Sequence, residues 1–271
     1  IVALRPAPIN VSWLGFPGTM GDLDGKPLFD YLISDGFITP PTKANAYSEK
    51  LALLPNTYQP NDTKRPIGEI KNRLEYGLPE SGFVFCCFNQ TFKILPEVFD
   101  CWMRLLKQTP NSVLWLLECN QWAKINLIRE AETQGVNKER LIFAPRVNMA
   151  EHLARQTCAD LFLDTLPYNA HTTTSDALWM GLPVLTCAGD TFASRVAGSL
   201  LKASNLEDLI TYSLQNYESK ALSLSNNPVE LKRIKAQLTK YNTKLPLFDA
   251  AQFAKDLESQ YQTMWKTHKS A

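Results

Sequence analysis

The segment 159–186, ADLFLDTLPYNAHTTTSDALWMGLPVLT, restricts the fold more than any other part of the chain. A short apolar run at 159–163 closes on Asp164, the pattern of a strand buried on both faces of a parallel sheet. After a loop at 165–170, the side chains of Thr172, Thr173, Thr174, Ser175 and Asp176 crowd the start of a segment that reads as a helix. Gly181 and Pro183 stop that helix, and Val184 opens another strand. A helix that begins just past the carboxyl end of a parallel strand turns unpaired N–H groups and a positive dipole end toward the crevice where such sheets bind ligands. An anion such as a diphosphate fits there. A cap accounts for one hydroxyl, whereas three threonines behind His171 exceed what a cap needs.

The neighbouring segments extend this unit into a series. Apolar runs at 83–88, 112–117 and 141–143 alternate with helical patterns at 96–107, 122–134 and 149–156, and helices starting near Ser194, Glu207, Pro228 and Asp249 follow. Such alternation predicts an open, mostly parallel, doubly wound α/β sheet. Upstream, strands are expected at 8–14, 31–34 and 51–54, with a short helix at 43–50. The Pro- and Asn-rich stretch 55–66 reads as a linker.

Composition removes several classes of function. A chain of 271 residues with 45% hydrophobic content can bury a full core. Its net charge of +1, with basic residues scattered among acids, offers no nucleic-acid surface. No apolar run approaches the roughly 18–20 residues of a membrane span, and no secretory leader opens the chain. The six cysteines form no C-x-x-C pair, so Cys86, Cys87, Cys101, Cys119, Cys158 and Cys187 read as reduced core thiols of a cytoplasmic protein. Asp22-Leu-Asp24 has the form of a metal-binding D-x-D, yet Gly21, Gly25 and Pro27 surround it with turn chemistry, and a solvated loop is expected there. The abrupt start at Ile1 suggests a piece of a longer chain.

In a parallel sheet the loops after the strands share one edge, so sequence order alone gathers a set of candidate residues. Asn89, Gln90 and Lys93 follow the strand at 83–88; Arg146, Val147 and His152 follow that at 141–143; His171 to Asp176 follow that at 159–163. Together they carry a cation, helix amides, imidazoles and a carboxylate, which suits a nucleoside diphosphate better than it suits a core. The glycine-rich turn at 15–21 could let backbone approach a ligand closely.

These residues, with Ala3-Leu-Arg-Pro-Ala-Pro-Ile, Trp13-Leu-Gly-Phe-Pro-Gly-Thr, Tyr47-Ser-Glu-Lys-Leu, Phe88-Asn-Gln-Thr-Phe-Lys, Ser112-Val-Leu-Trp-Leu-Leu, Asn169-Ala-His-Thr-Thr and Ala193-Ser-Arg-Val-Ala, resemble the protein O-GlcNAc transferases and their bacterial homologues over nearly the whole chain. The resemblance implies a two-lobed GT-B glycosyltransferase that moves GlcNAc from UDP-GlcNAc to protein Ser or Thr hydroxyls. It also implies inversion, no metal or other cofactor, and tetratricopeptide repeats upstream that select acceptors. On that pattern residues 1–66 are the end of the N-terminal lobe and the linker. Residues 67–247 are then the complete nucleotide-sugar-binding, Rossmann-like C-terminal lobe, and 248–271 a C-terminal helix.

By the same resemblance Lys93 meets the donor phosphates and Gln90 is a neighbouring donor contact. Val147, His152 and Arg155 surround uracil and ribose, His171, Thr172 and Thr173 cradle the diphosphate, and Asp176 holds the ribose. Leu14, Gly15 and Pro17 form the loop beside the sugar. Met149 stands where animal members have lysine, and Phe92 where they have tyrosine. The plant SPINDLY relatives that use GDP-fucose lack the Asn-Ala-His-Thr-Thr form, so UDP is the expected nucleotide. A GDP-fucose-using O-fucosyltransferase, a nucleotide-sugar epimerase and a non-catalytic interaction module remain as alternatives. The 271-residue piece alone is expected to be inactive, because it lacks most of the acceptor-facing lobe.

Overall fold

The computed structural model describes residues 2–270. Its strands are β1 (Val11–Ser12), β2 (Asp22–Leu23), β3 (Lys26–Pro27), β4 (Tyr31–Asp35), β5 (Lys50–Leu54), β6 (Val84–Cys87), β7 (Val113–Leu117), β8 (Leu141–Ala144), β9 (Leu161–Leu163), β10 (Val184–Cys187) and β11 (Ile210–Thr211). The α-helices are α1 (Pro96–Gln108), α2 (Gln121–Thr133), α3 (Met149–Arg155), α4 (Thr172–Trp179), α5 (Val196–Lys202), α6 (Leu214–Ser225), α7 (Pro228–Tyr241) and α8 (Ala250–Ser270). A three-stranded parallel sheet has the order β1-β4-β5, and a six-stranded parallel sheet has the order β11-β10-β9-β6-β7-β8. The short β2–β3 pair is antiparallel. The doubly wound α/β class expected from the alternation is therefore observed.

Burial explains why the larger sheet was so readable. Every residue of β6, β9 and β10 is buried, so these strands are continuous apolar runs, as a sheet covered on both faces requires. Helix α1 buries Val98, Phe99, Cys101, Trp102, Met103, Leu105 and Leu106 along one side, the stripe of an amphipathic helix laid on a sheet. Trp102 donates its indole N–H to the Tyr217 hydroxyl of α6 at 3.2 Å, and that hydroxyl donates to the Asp164 carbonyl at 3.0 Å. Two covering helices are thus tied to the end of β9, where the central loop begins.

Three expected elements change. The strand at 8–14 contracts to Val11–Ser12, because beyond it Leu14 takes φ +61° and turns the chain out of the sheet. The helix at 43–50 is instead a 3-10 helix, Pro41–Ala46, that gives way to extended backbone at Tyr47 and to β5 at Lys50. The helix from Glu207 is a single 3-10 turn, Glu207–Leu209, followed by edge strand β11, and the α-helix starts only at Leu214 behind the Ser213 cap. Two hydrogen-bonded residues at a sheet edge leave almost no periodicity to read.

The segment after β5 is packed against the larger sheet's helices. Tyr58, Gln59 and Asn61 are buried, Gln59 donates to the Ser175 hydroxyl at 3.1 Å, and Asn61 donates to the Leu247 carbonyl at 3.0 Å. At the far side, α8 returns to the small sheet. Met264 packs with Ile33, Ala52 and Leu54, Phe253 stacks on Trp13 with ring centroids 5.9 Å apart, and Gln260 donates to the Leu53 carbonyl at 3.3 Å.

Candidate active site

Asp164 organises the loop between β9 and α4. It is 1% exposed at the strand's carboxyl end and accepts from the Ala170 N–H at 2.6 Å, the Thr165 N–H at 2.8 Å and the Thr186 hydroxyl at 2.6 Å. Asn89, at the end of β6, donates to Asp164 at 3.3 Å and to the Thr165 hydroxyl at 2.8 Å, and accepts the Thr173 hydroxyl at 2.7 Å. Burial pushes the Asp164 carboxyl up to about 7, against the downward pull of Thr186, Ala170, Thr165 and the nearby Lys93. Neither role is apparent in the sequence. A carboxylate closing an apolar strand was the available signal for Asp164.

The result of this scaffold is an uncapped helix start. His171 occupies the N-cap of α4 without a side-chain cap hydrogen bond. The hydroxyls behind it bond to oxygen acceptors instead: Thr173 to Asn89, Thr174 to the Ala170 carbonyl at 3.1 Å and Ser175 to the Thr172 carbonyl at 2.9 Å. The Thr174 N–H is paired with the His171 carbonyl at 3.0 Å, so the amides left for a ligand are those of Thr172 and Thr173.

Lys93 stands beside this helix start. It lies in a 3-10 turn, Thr91–Lys93, and donates to the Asn169 carbonyl at 2.9 Å, with its ammonium 3.9 Å from the centroid of the Tyr168 ring. Burial pulls its pKa below the ordinary lysine value, while Asp164 and Cys87 pull it back up. The Tyr168 ring also stacks on His171, with centroids 5.1 Å apart. His171 has a ring nitrogen, Nε2, 3.3 Å from the Ala193 carbonyl; since a carbonyl only accepts, Nε2 carries the proton there.

Two clefts flank the helix start and share Thr172. One, of about 310 Å³, is lined by Gln90, Val147, Met149, His152, Thr173 and Asp176, among others. The other, of about 370 Å³, is lined by Leu14, Tyr58, Arg65 and His171, among others. The structure thus brings together Gln90, Val147, His152, Arg155, Thr172, Thr173 and Asp176 around the first cleft, and Leu14 and His171 at the second. Gly15 and Pro17 are in the same turn as Leu14 and do not line either cleft. That turn is anchored by buried Glu49, which accepts from the Thr19 hydroxyl at 2.7 Å and the Met20 N–H at 2.6 Å.

Several side chains are committed within the protein. Arg155 is 2% exposed; it donates to the Pro145 carbonyl at 2.7 Å and to His152 Nδ1 at 2.7 Å, and its guanidinium lies 4.8 Å from the Phe88 ring centroid. It therefore acts on the cleft by fixing His152. Gln90 accepts from Arg146 at 3.2 Å and from the Cys119 thiol at 3.4 Å. Cys119 is half-buried beside Gln90 and not a core thiol, because it lies beyond the end of β7; the other five cysteines are buried, and all six are free. Met149 lines the first cleft at 50% exposure, and Phe92 is 75% exposed. Asp22 accepts from the Gly25 N–H at 2.9 Å, the turn geometry expected of that D-x-D.

Burial pulls both cleft imidazoles down to about 4; the Arg155 charge adds to this at His152, and the Ala193 carbonyl opposes it at His171. Both are neutral at pH 7. Because the folded values lie below the unfolded value of about 6.5, the stability each contributes is full above pH 6.5 and is lost as pH falls toward 4. Asp164 acts oppositely over roughly the same window, since its raised value favours the folded, protonated form. A difference measurement separates them. Between pH 6.5 and 4, the unfolding free energy of the wild type should fall relative to His152→Gln by an amount on the order of 3 kcal/mol at most. Denaturant melts that remain parallel across that range would show that His152 titrates normally.

The profile of glycosyl transferase family 41 matches the chain over residues 1–74 and 61–257. An Arabidopsis thaliana protein described as a probable UDP-N-acetylglucosamine–peptide N-acetylglucosaminyltransferase, SEC, is 41% identical over 275 residues, which cover 99% of this chain and 28% of that protein. The Caenorhabditis elegans UDP-N-acetylglucosamine–peptide N-acetylglucosaminyltransferase is 28% identical over an alignment covering 100% of this chain and 33% of its own length. The chain thus spans about a third or less of these relatives. A point variant of the Thermobaculum terrenum O-GlcNAc transferase superposes with a TM-score of 0.89 at 32% identity, covering 100% of this chain and 51% of that one. Anabaena HepE in complex with UDP, at 14% identity and a TM-score of 0.58, covers 85% of this chain and 64% of its own and shares the fold. The profile runs through both parallel sheets and all the cleft loops, and the chain belongs to glycosyl transferase family 41.

Proposed function

We propose that this chain is the donor-binding part of a protein O-GlcNAc transferase, which moves GlcNAc from UDP-GlcNAc to Ser or Thr hydroxyls with inversion and without a metal. The observation that carries the reading is the uncapped start of α4 beside the Lys93 ammonium, between two clefts that share Thr172. A diphosphate laid on that turn directs its nucleoside toward Val147 and His152 and its sugar toward His171 and Leu14. When the bond from sugar to phosphate breaks, negative charge grows on the leaving diphosphate. In this reading Lys93 and the Thr172 and Thr173 amides meet it. The names of the relatives support the same donor and acceptor class.

In this reading the parent protein carries tetratricopeptide repeats that select acceptors, and it works in the cytoplasm. Among the described residues no helix is long and apolar enough to cross a membrane. Calorimetry should find UDP binding more tightly than GDP; the reverse order would overturn the choice of donor in favour of a GDP-sugar. With the full-length parent and UDP-GlcNAc, mass spectrometry should show an acceptor peptide heavier by one N-acetylhexosamine. An unmodified peptide with epimerised free sugar would mean an epimerase instead.

A further inference from the structure

The side chain of Tyr168 reaches both nitrogen groups beside the start of α4. The Lys93 ammonium sits over its ring, 3.9 Å from the centroid, and His171 stacks on the same ring at 5.1 Å with 21° between the planes. The backbone that carries the ring is fixed on both sides. The Tyr168 carbonyl accepts the Thr165 hydroxyl at 2.7 Å, and the next residue, Asn169, donates its N–H to the Ala193 carbonyl at 3.0 Å. Yet Tyr168 is 36% exposed, so burial in a core does not account for where its ring lies.

We infer that Tyr168 is a positioning residue for sugar transfer, whose ring holds the Lys93 ammonium at the start of α4 before the donor arrives. An ammonium carries three donors on a flexible four-carbon stem. The Asn169 carbonyl takes one of them at 2.9 Å, and the electron-rich ring face attracts the charge from a second direction, which leaves donor capacity for an anion. One hydrogen bond alone lets the group swivel, whereas a carbonyl and a ring face together fix it. The swivel matters because Asp164, at the base of the same loop, also attracts the ammonium. His171 is neutral at pH 7, so it shares the ring with a cation without repelling it. Ordering Lys93 in advance removes that cost from the reaction step. This inference rests on the reading of Lys93 as the group that meets the departing diphosphate.

The test measures kcat and donor KM in the full-length protein for Tyr168→Leu and Tyr168→Phe, each alone and in the Lys93→Met background. Alone, Tyr168→Leu should lower kcat on the order of tenfold, the size of a partly desolvated cation–π contact, and change donor KM by less than about threefold. Tyr168→Phe restores the ring and should recover most of that loss. In the Lys93→Met background the leucine change should cost less than about twofold, because the group that the ring positions is gone. Tyr168→Met carries the same comparison if the leucine variant melts early. A loss of equal size in both backgrounds, or a phenylalanine variant as slow as the leucine one, would overturn the inference and leave the ring as support for the loop. Near-normal turnover of Lys93→Met itself would overturn the leaving-group reading, and this inference with it.

Discussion

Lys93→Met in the full-length protein should lower turnover on the order of 10²-fold or more, about 3 kcal/mol, by analogy with other preorganised groups that meet transition-state charge. UDP affinity should change far less. The distinction follows from the proposed function: if the ammonium meets a diphosphate whose charge increases as the sugar leaves, most of its stabilisation is realised only in the transition state. The position supports this use. Lys93 is held by the Asn169 carbonyl and the Tyr168 ring beside the uncapped turn of α4, so its charge is oriented before the donor arrives. An ordinary surface lysine would leave both quantities nearly unchanged. Turnover within a few-fold of wild type, measured alongside UDP affinity, would remove Lys93 from the leaving-group role.

Asp164→Ala should be the most damaging single change to the scaffold of the site. It leaves the Ala170 and Thr165 amides and the Thr186 hydroxyl without their acceptor in a buried setting, and Asn89 with only the Thr165 hydroxyl to donate to. At about 1–3 kcal/mol for each unsatisfied buried group, partly relieved by relaxation, a loss of at least about 3 kcal/mol is expected. For a chain of this size that lowers Tm by roughly 6–12 °C. UDP binding should fall with it, because Asn89 also positions Thr173. Asp164→Asn keeps one oxygen acceptor and should lose less than half as much stability. An alanine variant that melts within a degree of wild type would show that the loop keeps its shape without this carboxylate.

What the sequence revealed follows from what its residues must do locally. Strands β6, β9 and β10 are buried on both faces, so burial alone makes them legible as apolar runs. That Lys93, His171 and Thr172 gather at one edge was legible because parallel topology sends the loops after strands there. Arg65 was missed for the opposite reason. It lies in a Pro- and Asn-rich stretch that reads as a spacer, and its partner Asp176 is 111 positions away. Asp164 was visible as the residue closing a strand, but its role depends on donors from three separate segments, which no local pattern encodes. The position of the hydroxyls at 172–175 was readable; their bonding to oxygen acceptors, which leaves the amides uncapped, was not.

The return of α8 to the small sheet also sets a timetable for synthesis. Leu53 and the Gln260 that donates to it are 207 positions apart, and Met264, which covers Ile33 and Leu54, emerges later still. At about 5–20 residues per second, the ribosome takes roughly 10–40 s to bridge that interval. Through all of it the apolar patch on β4 and β5 lacks its native cover, while the larger sheet can already assemble from contacts closer in sequence. Nascent chains stalled just short of α8 should therefore be held by chaperones at the small sheet, and release should coincide with the appearance of that helix.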